Sequence, residues 1–167
     1  MNSRVRRITT CCAKASVTRY YFAYGSNMNP ARVSARGLKF DCVGGATIGG
    51  VRLTFDKQSR EHPSSGHANL TFDRTSQSEG VLYRLRDADE IQLMDRFEAA
   101  PVNYSRDVVV VESEGVRVAA WTYFANSAVI RQGLRPERGY LDHLLAGREY
   151  LSPEYFAWLS ETVCVDD

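Results

Sequence analysis

At 167 residues, the chain is long enough for one domain whose core needs neither disulfides nor a metal to hold it. Its 44% apolar and 25% charged residues are ordinary for a globular protein, and a net charge of +1 removes any global electrostatic case for a nucleic acid or a membrane surface as partner. No apolar run approaches the roughly 20 residues that a membrane helix requires, so no membrane span is expected.

The first eighteen residues, MNSRVRRITTCCAKASVT, are basic and rich in Ser and Thr, and the first acidic residue of the chain is Asp41. They lack the apolar core of a secretory signal and a clear amphipathic pattern. Residues 1–18 are therefore read as a flexible basic extension and residues 19–167 as the domain. Of the four cysteines, Cys11 and Cys12 are adjacent, which fits neither a C-x-x-C metal site nor a spaced disulfide framework. Cys42 falls in a β-like stretch and is expected to be a buried small hydrophobe. A reducing compartment, the cytoplasm, follows as the expectation.

Aromatic, β-favouring residues from Arg19 to Tyr24 predict a strand, and Asn29-Pro30 predicts a helix start, with Asn as N-cap and Pro in the first turn, ending near Gly37. Lys39 to Phe55 reads as a strand interrupted at Gly44-Gly45 and Gly49-Gly50 by a turn or by the bulges of a strongly curved ribbon. A polar loop over residues 56–66 follows. His67–Phe72 and Glu79–Arg86 then read as two strands paired over an Asp73–Ser78 turn. At Asp87–Glu98 the period changes to that of a helix, with acidic residues in its first turn. Tyr104–Val111 and Val116–Phe124 are strands joined at Glu112–Gly115. Arg135–Gly147 and Ser152–Glu161 close the chain as helices. The order β-α-β-β-β-α-β-β-α-α describes one α+β domain whose strands can curl into a small barrel.

Two places invite chemistry. On a helical wheel, Ile91, Leu93, Met94 and Phe97 form the apolar arc of residues 87–98, and Glu98 falls inside it, while Asp95 and Arg96 point away. A carboxyl group kept from water favours its neutral form and becomes a base near neutral pH. Ala99-Ala100-Pro101 is expected to stop the helix there. The second place is YGSNM, Tyr24 to Met28. Amides of Gly25, Ser26, Asn27 and Met28 turned toward the following helix start would form a cradle for a small anion such as a carboxylate. A serine hydrolase using Ser26 with His67 or His143 lacks the G-x-S-x-G elbow and an orienting acid. His62 and His67 flank Pro63 without a third nearby metal ligand.

These motifs resemble the γ-glutamylcyclotransferase-like family. The matching residues are FAYGSNM (Phe22–Met28), Gly66 with Ala68-Asn69-Leu70, Glu79–Tyr83, and Leu93–Glu98 with Tyr104 and Arg106 behind it, with a weaker match through Tyr140-Leu141 and the C-terminal tail. The resemblance implies an α+β fold, a small mixed β-barrel with flanking helices, and a reaction needing no metal or cofactor. In it a γ-glutamyl small molecule closes to 5-oxoproline and releases an amine. It implies that Tyr24, Gly25, Ser26, Asn27 and Met28 hold the glutamyl α-carboxylate, that Glu98 is the acid/base residue, and that Tyr104 walls the pocket. The spelling with Asn27, where other branches tend to carry Leu, is closer to the branch acting on γ-glutamyl amino acids than to the γ-glutamylamine branch. Ala99 stands where the family pattern commonly has Gly. The leaving amine stays open at this level, as does the oligomeric state, and the residue 56–66 loop with Arg60 and Glu61 is where its pocket is expected. The alternative is a non-catalytic binding module on the same fold.

Overall fold

The computed structural model describes residues 18–165 and 167, so the expected basic extension lies, but for Thr18, outside the described residues. Five strands form a closed barrel in the order β1-β3-β2-β4-β5: β1 Tyr20–Ala23, β2 Phe40–Gln58, β3 Gly66–Leu85, β4 Tyr104–Ser113 and β5 Val116–Ala125. The barrel is mixed, because β1 runs antiparallel to β3 and parallel to β5. Helices α1 Pro30–Ala35, α2 Ile91–Phe97, α3 Arg138–Leu145 and α4 Pro153–Ser160 flank it. Among the described residues no helix is long and apolar enough to cross a membrane.

β1 is short and central, and Tyr21, Phe22 and Ala23 are all buried, as expected for a strand covered on both faces. Fully buried Phe22, Tyr83, Leu85 and Val81 build the core around it. Each such side chain contributes about 1.5–3 kcal/mol by leaving water. Gly80 is required by close approach, since a Cβ there would sit 2.3 Å from the Ala23 carbonyl oxygen and 2.8 Å from the Phe22 ring.

The structure corrects four expectations. There is no hairpin over Asp73–Ser78: residues 66–85 are one continuous strand, and the register against β2 jumps from Gly49↔Gln77 to Val51↔Phe72. Turn chemistry is present, with Asp73 accepting from the Thr75 amide (3.1 Å) and from the Thr75 and Ser76 hydroxyls (2.8 and 2.9 Å), but it folds a bulge inside a strand. Cys42 is exposed, because the register slips between Phe40 and Cys42 and turns its side chain outward. Phe97 is 48% exposed and lies under the Arg36 guanidinium at 4.7 Å, outside the core. Asp95 turns inward, accepting from the Tyr123 hydroxyl (2.8 Å) and from Arg106 (3.0 Å).

Candidate active site

Helix α2 is anchored by Ile91 and Met94, both buried, and by the Asp95 contacts to β4 and β5. It ends at Glu98, whose amide bonds to the Met94 carbonyl at 3.0 Å. The stop is made by paired bonds that close the last turn, Ala100 N–H to Asp95 C=O at 2.9 Å and Ala99 N–H to Arg96 C=O at 3.3 Å. Ala99 therefore occupies the left-handed region, with φ 48°, a place that favours glycine. Pro101 comes after this stop and does not cause it.

The Glu98 side chain is 17% exposed and faces the end of β1. Its Oε1 accepts from Asn27 Nδ2 at 3.0 Å and lies 3.8 Å from an Arg36 nitrogen. Asn27 is fixed on every side: Nδ2 also donates to the Tyr21 hydroxyl (2.8 Å), Oδ1 accepts from Arg36 (2.7 Å), and its carbonyl accepts from Tyr83 (2.7 Å). Burial pushes the Glu98 carboxyl above its ordinary range, opposed by the Arg36 charge, the Asn27 hydrogen bond and the Lys57 and Arg32 charges.

Residues 26–28 form a turn of 3-10 helix, not the first turn of α1, whose leading amides at Ala31 and Arg32 are capped by Asn29 Oδ1 at 3.1 and 3.3 Å. Of the four amides expected in the cradle, that of Met28 bonds to the Gly25 carbonyl at 2.8 Å, and the Met28 side chain is buried in the core. The Ser26 amide bonds to the Tyr140 hydroxyl, which also accepts from the Ala68 amide at 3.0 Å. Burial pushes the Tyr140 hydroxyl up to about 12, so it stays protonated and free to donate once.

Tyr24, Gly25, Ser26 and Asn27 line an inner throat of about 30 Å³ together with Glu98, Tyr104 and Tyr140. That is room for a group the size of a carboxylate. The Tyr24 hydroxyl donates to the Tyr123 carbonyl and the Tyr104 hydroxyl to that of Ala68 (2.8 Å), so both rings are fixed walls. The throat meets a wider cleft of about 460 Å³, and Ser26, Glu98, Tyr104 and Tyr140 line both. The structure thus brings together every predicted site residue except Met28. Sequence reasoning missed Arg36, Tyr140 and Lys57, which reach the site from α1, α3 and β2; none carries a local signal, since a lone Arg, Tyr or Lys in an amphipathic element reads as surface or core. His62 pairs with Glu137 at 2.7 Å and His67 stacks on Tyr140 at 4.5 Å, which accounts for both without a metal.

A closed mixed barrel with flanking helices and a carboxylate at its mouth defines the γ-glutamylcyclotransferase-like fold. A solved gamma-glutamyl cyclotransferase aligns with TM-score 0.74 at 22% identity over 89% of each chain. An uncharacterised Homo sapiens protein aligns with TM-score 0.76 at 22% identity, covering 90% of this chain and 91% of its own. YkqA from Bacillus subtilis aligns with TM-score 0.75 at 28% identity, covering 84% of this chain and 52% of its own. No curated protein sequence matches. Residues 21–143 match the family described as gamma-glutamyl cyclotransferase, AIG2-like, and the chain belongs to that family.

Proposed function

We propose that this protein is a cyclotransferase that converts a γ-glutamyl amino acid or γ-glutamyl amine to 5-oxoproline and the free amine. The observation that carries the reading is the Glu98 carboxylate, mostly out of water and hydrogen-bonded to Asn27 beside the 24–27 turn. The glutamyl α-carboxylate is held in the inner throat by the Gly25 and Asn27 amides of that turn and by the Tyr140 hydroxyl. Ionised Glu98 takes a proton from the substrate's α-ammonium. The freed amine attacks the γ-carbonyl carbon and protonated Glu98 gives its proton to the leaving nitrogen as the old amide bond breaks; Glu98, ionised again, takes the second proton from the new ring nitrogen and passes it to the released amine, leaving 5-oxoproline. The protein's part is chiefly to hold the glutamyl chain folded, since oriented intramolecular attack reaches effective molarities of about 10⁵–10⁸ M. The residues named supply the proton transfers themselves, so the reaction as written calls for no metal or cofactor. An exposed, free Cys42 fits a reducing cytoplasm.

Feeding γ-glutamyl-alanine to the purified protein and measuring 5-oxoproline tests the reading. Turnover is expected, with a loss of about 10²-fold or more in Glu98→Gln. Binding without any turnover in the unaltered protein would favour the non-catalytic module.

A further inference from the structure

Neighbouring strand residues face opposite sides, yet Asp56 and Lys57 are both buried. The register of β2 on β3 slips between Thr54 and Lys57, and a bulge of this kind re-aims a side chain. Asp56 is taken up by Asn69, whose amide donates to it at 3.0 Å. Lys57 lines the wider cleft and is only 4% exposed. Among the described residues its ammonium has no hydrogen bond and no ion pair; it lies over the Tyr104 ring, 5.6 Å from the centroid. In the same wall Arg32 Nε is buried without an acceptor.

A nearly buried ammonium with no hydrogen-bonded or ion-paired partner is costly. Burial lowers the Lys57 pKa, while Glu98 raises it and Arg60 lowers it further. The wider cleft is lined by the cations Arg32, Arg36, Lys57, Arg60 and Arg96 against only Glu61 and Glu98, and Glu98 already faces Arg36 at 3.8 Å. Walls of one sign concentrate the field in a cleft and favour anions. Glu98 stands where throat and cleft meet, so a substrate with its glutamyl end in the throat places its leaving half among these cations.

We propose that the wider cleft selects the leaving amine by negative charge, with Lys57 as the inner contact and Arg60 at the rim, so that an amine carrying two carboxylates is preferred over one carrying a single carboxylate, and that over an uncharged amine. The inference rests on the cyclotransferase reading for the orientation of the substrate. Lys57 is a specificity-determining residue that grips the leaving half and takes no part in proton transfer.

Three ligands that differ in the leaving half test it: γ-glutamyl-glutamate, γ-glutamyl-alanine and γ-glutamyl-ethylamine. Each is measured by 5-oxoproline release with the unaltered protein and by calorimetric binding to Glu98→Gln, at low ionic strength. Each carboxylate is expected to strengthen kcat/KM and binding by about tenfold, the size of one charge-assisted hydrogen bond. Lys57→Met should erase the step between alanine and ethylamine, read as the ratio of the two within the variant; Arg60→Gln, a change at an exposed residue, should reduce the step between glutamate and alanine. Turnover with no charge order would overturn the inference and leave the cyclotransferase reading standing. Charge-ordered binding without turnover would do the reverse. An equal loss for all three ligands in a folded Lys57→Met would mean that Lys57 holds the glutamyl end, which also overturns the inference.

Discussion

The Asn27 side chain joins the two halves of the site. Its amide nitrogen reaches Glu98 at 3.0 Å and its oxygen takes the Arg36 hydrogen bond at 2.7 Å, so one short residue ties the end of β1, α1 and the end of α2 together. Leu at this position could donate to nothing, which gives the Asn a physical role. Because burial raises the Glu98 pKa and the proposed reaction needs the ionised form, the acid limb of the pH–rate profile should lie above the ordinary carboxylate value of about 4.3. Arg36 is the largest influence in the opposite direction, so Arg36→Gln should move that limb to higher pH, as read from kcat/KM between pH 4 and pH 9; an unmoved limb would remove Glu98 as the titrating base. The same shift bears on stability. A folded pKa above the unfolded one means that the contribution from Glu98 is fully present below the unfolded pKa and is lost as pH rises through the folded pKa. Glu98→Gln stays neutral throughout. Its melting temperature should therefore exceed that of the unaltered protein at pH 8, and the gap should close toward pH 4, as scanning calorimetry at both pH values can show.

At the scale of elements, the end of α2 aims the carboxylate, and it does so at a cost. A left-handed residue with a Cβ costs roughly 1–2 kcal/mol relative to glycine, partly offset because glycine makes the unfolded chain more flexible. Ala99, at φ 48°, carries that strain. Ala99→Gly is expected to raise the unfolding free energy by up to about 1 kcal/mol in urea titrations, with turnover retained. A loss of stability would show that the Ala99 methyl group makes a contact outweighing its backbone strain. The β2–β3 ribbon makes a complementary point. Its bulges at Asp73–Ser76 and between Thr54 and Lys57 look like irregularities of a ladder, yet the second turns a cation into the cleft.

Across the whole molecule, barrel closure is uneven. Val81, Leu82 and Tyr83 of β3 pair with β1 on one side and β2 on the other, whereas β4 meets β2 in register at Thr47↔Glu112 alone. Amides of β4 around Val108–Val110 that face away from β5 should exchange with solvent deuterium well before those of Val81–Tyr83. Equal protection at both places would mean that the seam is closed more tightly than this pairing implies. The site lies where β1, α1, α2 and α3 converge, and neither Thr47 nor Glu112 lines it.

Much of this was legible in the residues themselves. Asn29-Pro30 announces α1, the change of period announces the helix before Glu98, and the wheel places Glu98 on the inner side, because each depends on near neighbours along the chain; the acidic residues expected in that helix's first turn lie instead in a 3-10 turn ahead of it. The Asp73–Ser78 segment misled because Asp, Thr and Ser form the same local turn whether the chain then reverses or runs on, and only the partner strand decides which. Cys42, Phe97 and Asp95 misled for a related reason, since a bulge or a facing arginine on another element reversed the side they present. The sequence by itself determined the four helices, strands β1, β2, β4 and β5, the YGSN turn and the place of the carboxylate. Tertiary structure alone decided that Arg36, Tyr140 and Lys57 converge on that carboxylate, because charge and burial at a site are summed over elements that are distant in sequence and meet only when the barrel closes.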